Sequence, residues 1–63
     1  MALAERLKEA PPEVKDVFAR ARGALQGIAV TGEINDDQMD ALANMLELRN
    51  ELGWENEEDA DYW

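Results

Sequence analysis

Three of the four aromatic side chains fall in the last ten positions, Trp54-Glu-Asn-Glu-Glu-Asp-Ala-Asp-Tyr62-Trp63, among five carboxylates; Phe18 is the fourth. Each ring removes a large apolar area from water when buried, so a small chain ordinarily places its rings in the core. The neighbouring charges resist burial unless they are paired. Two outcomes satisfy these opposed demands. Either the end of the chain folds back and covers its rings, or it is held out as an acidic-aromatic ligand.

The other 53 residues cannot build a large core by themselves. At a length of 63 residues, folding buries only about 60% of the surface that the unfolded chain exposes. Domains this small usually depend on a disulfide, a metal or a partner subunit. The sequence contains neither cysteine nor histidine, which removes disulfides, thiolate sites and the preferred ligands of zinc. Self-association or docking onto a larger partner is the remaining source of added stability.

The net charge of −9 is unevenly spread. Residues 1–53 carry ten acids and six bases, and residues 54–63 carry five acids and no base. Such a chain is repelled by a phosphate backbone, so direct nucleic-acid binding is not expected. A basic protein surface is the complementary partner, reached by electrostatic steering. No apolar run approaches the roughly 20 residues that cross a bilayer, so no membrane partner is expected. The opening Met1-Ala-Leu-Ala-Glu-Arg lacks the apolar stretch of a secretory leader, which makes a cytoplasmic location the expectation.

Strand signals are confined to Ile28-Ala29-Val30-Thr31, and the remainder is rich in Ala, Leu, Glu, Met and Arg, all good helix formers. A short helix is expected over residues 2–9, with Leu3 and Leu7 on one face, ending before Pro11-Pro12. Proline suits the first turn of a following helix, expected from Pro12 to about Gly27. Val14, Val17, Phe18, Ala21, Leu25 and Ile28 form its apolar stripe.

A third helix has the clearest start. Asn35 and Gln38 have the spacing of a capping box, and Ile34 and Met39 that of a hydrophobic staple. Asp36 and Asp37 complement the positive end of the helix dipole. The helix should run to Leu52, with Gly53 as a left-handed cap and Trp54 folding back on Leu48 or Arg49. Its apolar residues Met39, Leu42, Met45, Leu46, Leu48 and Leu52 cover about half of the cylinder. One neighbouring helix does not cover so wide an arc. The first helix within a monomer, or a second copy in a four-helix dimer, would each fill the flank.

Catalytic groups are scarce. Serine, cysteine and histidine are all absent, and Thr31, Tyr62, Lys8 and Lys15 have no evident base or orienting group. A helical chain of this size scarcely encloses the pocket that sets two carboxylates apart in pKa, so an enzyme is not expected. The run Gly32-Glu33-Ile34-Asn35-Asp36-Asp37-Gln38 resembles the second half of an EF-hand calcium loop. Aligned on Gly32, the first three ligand positions fall on Gly27, Ala29 and Thr31, and Gln38 stands where the bidentate glutamate belongs. The calcium-binding half is missing, and capping accounts for the same residues, so no metal and no cofactor are expected. The carboxylates of the last ten residues have suitable oxygen ligands but no fixed geometry.

The expected architecture is therefore all-α: an antiparallel helical hairpin with a short extra N-terminal helix and an acidic C-terminal tail, as a monomer or a dimer. Residues 1–53 form the helical domain and residues 54–63 the tail. The expected function is that of a small acidic adaptor, inhibitor or regulator that masks a basic surface on a protein; where that protein binds nucleic acid, the carboxylates would stand in for phosphates. Its size and composition have an analogy in phage-encoded inhibitors, one of composition alone. Trp54, Glu57, Glu58, Asp59, Asp61, Tyr62 and Trp63 are the candidate partner contacts, with Asp36, Asp37 and Asp40 as an acidic helix face. The alternative is a structural or assembly subunit that self-associates through Met39, Leu42, Met45, Leu46 and Leu52.

Overall fold

In the computed structural model, which describes residues 2–60 and 62–63, the chain forms three α-helices: α1 (Leu3–Lys8), α2 (Pro12–Thr31) and α3 (Asp36–Leu52). Helices α2 and α3 pack against each other across the short 32–35 connection, as in a helical hairpin. No named strand occurs among the described residues. Ala2 and Glu58 form one isolated parallel bridge.

The α1 helix is two residues shorter than the sequence suggests, because Glu9 already acts as its C-cap. Leu3 and Leu7, one turn apart, are both buried. Pro11 is extended and Pro12 opens α2, where a missing N–H costs nothing.

The α2 helix does not end near Gly27. It continues to Thr31 and stops at Gly32, whose φ of 72° is the left-handed conformation that glycine adopts without strain. The N–H of Gly32 donates to the Ile28 carbonyl at 2.7 Å. Thr31 Oγ1 donates back to the Gly27 carbonyl at 3.0 Å, and the Glu33 N–H donates to that hydroxyl at 3.2 Å. Gly27 has a different use. A Cβ there would lie 2.9 Å from Gln38 Nε2, so the bare backbone leaves room for the side chain that caps α3.

The start of α3 follows its sequence. The Gln38 N–H donates to Asn35 Oδ1 and the Asn35 N–H donates to Gln38 Oε1, each at 2.9 Å, which completes the capping box. At its other end Gly53 is left-handed at φ 72°. The Gly53 N–H donates to the Asn50 carbonyl at 3.2 Å, and the Trp54 N–H to the Arg49 carbonyl at 2.8 Å. This is a Schellman closure, and it reverses the chain toward the core.

The reversal decides between the two outcomes open for the aromatic rings. Leu3, Leu7, Phe18, Ala21 and Met45 form the buried centre, and Trp54, Tyr62 and Trp63 pack against it. Phe18 has no exposed surface. Its ring lies 6.1 Å from that of Trp54 and 6.4 Å from that of Tyr62, the latter edge to face. Tyr62 and Trp63 stack edge to face at 4.8 Å. Tilted and edge-on arrangements at these separations are the favourable ones for aromatic pairs. The Leu3 N–H donates to the Glu58 carbonyl at 2.6 Å, which joins the start of α1 to the returning segment.

Phe18→Ala is expected to cost about 3–5 kcal/mol, a large share of the stability available to a small domain. Urea titration followed by circular dichroism should show a lost or strongly lowered unfolding midpoint. A midpoint close to wild type would mean that the rings do not share one core.

Candidate functional site

Arg49 is the only basic residue of α3, and helical periodicity places it on the buried side, between Met45 four residues before and Leu52 three residues after. It is 7% exposed. Its guanidinium donates to Asp59 Oδ2 at 3.0 Å and to the carbonyls of Trp54 and Glu57, each at 3.1 Å. The planar fork of an arginine suits several acceptors at once, which a lysine does not match. One side chain therefore binds three points of the segment that follows α3. The Arg49 bond, followed by a hydrogen bond from the Trp63 side chain, holds the Asp59 carboxyl below the usual aspartate range.

Sequence reasoning named Arg49 only as a surface for Trp54 and missed this role. The available signal was its phase: a lone cation in the apolar stripe of a helix, followed by a run of acids.

The other arginines are also engaged internally. Arg6 Nη2 pairs with Glu57 at 3.2 Å, Arg20 pairs with Asp16 one turn away at 3.4 Å, and Arg22 lies over the Tyr62 ring at 5.2 Å. Asp36, Asp37, Asp40, Glu47 and Glu51 are exposed on α3. None of these five has an ion-pair partner among the described residues. The outer side of α3 is thus acidic, while the bases outside it belong to α1 and α2.

The expected contact residues separate into groups. Trp54, Tyr62 and Trp63 are partly buried against the core. Glu57 and Asp59 are tied to arginines, and Glu58 is exposed while its backbone pairs with the start of α1. Asp61 lies outside the described residues. Asp36, Asp37 and Asp40 are together on the first turns of α3 and open to solvent.

The residues expected to self-associate divide as well. Met45 is 5% exposed and belongs to the core, because its phase directs it inward beside Arg49. Leu42 is half-buried against the same core. Met39, Leu46 and Leu52 keep 48%, 60% and 39% of their surface exposed. The flank of α3 is therefore covered only in part.

Between α2 and α3 lies an open groove of about 550 Å³, with Gly23, Ala24 and Ala41 as small residues and Arg20, Asp37 and Asp40 as charged ones. No group of three or more potential metal ligands comes together among the described residues. No described helix is long and apolar enough to cross a membrane. Comparison with protein-family models, curated proteins and solved structures finds no match for the chain.

Two measurements test the Arg49 junction. Arg49→Ala should cost about 2–3 kcal/mol, since hydrogen bonds to a charged group are lost and buried acceptors remain. Asp59→Asn should cost under about 1 kcal/mol, because the carboxylate is half in solvent and screened. A larger loss from Asp59→Asn than from Arg49→Ala would contradict this ordering. The pH dependence has a fixed sign. With its folded pKa depressed, Asp59 adds stability above its unfolded value, about 3.9. That contribution disappears as pH falls through the folded value. Urea midpoints of wild type and Asp59→Asn should therefore converge below about pH 4.

Proposed function

We propose that the chain is a non-enzymatic acidic binding module that masks a basic surface of a partner protein. The supporting observation is the distribution of charge on α3. Its carboxylates Asp36, Asp37, Asp40, Glu47 and Glu51 face solvent, and its single base is buried on Asp59. A one-signed helix face of this kind raises the encounter rate with cationic surfaces and disfavours anionic ones. Where the target binds nucleic acid, the carboxylates would occupy positions meant for phosphates. The packing of Trp54, Tyr62 and Trp63 on the core places the weight of this reading on charge, with the rings supporting the scaffold that presents it. Glu55 and Glu58, both exposed, add to the same field.

The test is affinity capture of basic proteins, comparing the intact chain with an Asp36→Asn/Asp37→Asn/Asp40→Asn variant and raising salt in the wash. Retention by wild type, release by salt and loss in the variant are expected. Equal retention by both proteins would remove the acidic face from the interaction.

A second reading follows from the exposure of Met39, Leu46 and Leu52: a subunit that self-associates through α3. Sedimentation equilibrium discriminates the two. A mass above that of one chain, reduced to one chain by Leu46→Asp, would favour assembly; a single-chain mass at all concentrations would end it.

A further inference from the structure

The structure leaves an apolar stripe on α3: Met39 and Leu46 are exposed, and Leu42 between them is half-buried against the core and only partly used by it. Met39, Leu42 and Leu46 lie at i, i+3 and i+7, so they follow one side of the helix. From Met39 to Leu46 the stripe is about 10 Å long at 1.5 Å per residue. Ile34, the residue before the N-cap, is also exposed, at 52%. At roughly 100° per residue, Asp36, Asp40 and Glu47 lie 60–100° round the helix from Met39. Ala43 sits between them and the stripe. The surface is therefore a row of large apolar side chains with a carboxylate rim along one edge.

Charge complementarity decides what fits there. A second copy paired antiparallel on this stripe would bring two acidic rims together, and in either orientation two chains of net charge −9 would meet, so like charges oppose association. A helix with an apolar face edged by Lys or Arg satisfies both parts of the surface. Its apolar anchors at i, i+3 or i+4, and i+7 match the two turns from Met39 to Leu46. We propose that the Met39–Leu42–Leu46 stripe, with its Asp36, Asp40 and Glu47 rim, is a docking site for a basic amphipathic helix of a partner protein. This rests on the acidic-module reading and adds to it the recognition element, in which the apolar face provides register and the carboxylates provide attraction.

The probe is a labelled Leu/Lys peptide of about four turns, long enough for an amphipathic helix. Its control has the same composition in an order that forms no apolar face. Fluorescence anisotropy with the intact chain should show the amphipathic peptide binding about tenfold more tightly than the control, one decade in Kd. Leu46→Ser and Met39→Ser, at exposed positions that should leave the circular dichroism unchanged, should each weaken it by a similar factor. Binding of both peptides with equal affinity would overturn the docking site and leave the acidic module standing. Absence of binding by either would overturn both. Unchanged affinity in the two folded Ser variants would also overturn the site, as would a wild-type dimer that either variant dissociates, since the occupant would then be a second copy.

Discussion

The Arg49 guanidinium holds the end of the chain in place. It lies where α3 ends and contacts three oxygens in the ten residues that follow. Without that contact the Schellman turn at Gly53 would still reverse the backbone, but its later course would rest on the Leu3–Glu58 and Arg6–Glu57 contacts and on ring packing. Trp54 and Tyr62 reach Phe18 because the chain between them is tied down at Glu57 and Asp59. The burial of Phe18, and with it that of Leu3 and Leu7, depends on this arrangement. A cation inside a small domain is costly to desolvate. Here the charge-assisted bonds offset much of that cost, and the Asp59 end stays near water.

The helices were largely legible, because capping and periodicity are local physics. Asn35, Gln38 and Gly53 each do what their side chains or backbone freedom suggest. The end of α2 was misread because glycine has two uses that look alike in sequence. Gly32 supplies a left-handed turn, whereas Gly27 stays helical and makes room for Gln38. Only the second partner, eleven residues away, distinguishes them.

The last ten residues were ambiguous for a related reason. Their charges and rings predict opposite fates when counted as composition. The structure separates them by direction: rings turn toward Phe18, carbonyls toward Arg49, and Glu55 and Glu58 toward solvent. Side-chain direction in an irregular segment has no periodicity from which it can be read. The exposed part of α3 was recognisable as an excess of apolar residues, but not which of them the core would take. Met45 was taken, while Met39 and Leu46 were left outside.

The bridge between Ala2 and Glu58 has a consequence for how the fold is reached during synthesis. The turns of α2 and α3 and the contact between them need only neighbouring sequence, and such local structure forms early. Leu3 and Leu7 have no completed core to enter until Trp54, Tyr62 and Trp63 are available. Although α1 precedes α2 and α3 in the sequence, it is thus among the last elements to be secured. Until the segment after α3 reaches the core, the nascent chain carries exposed leucines, and transiently exposed apolar surface of this kind is what chaperones act on.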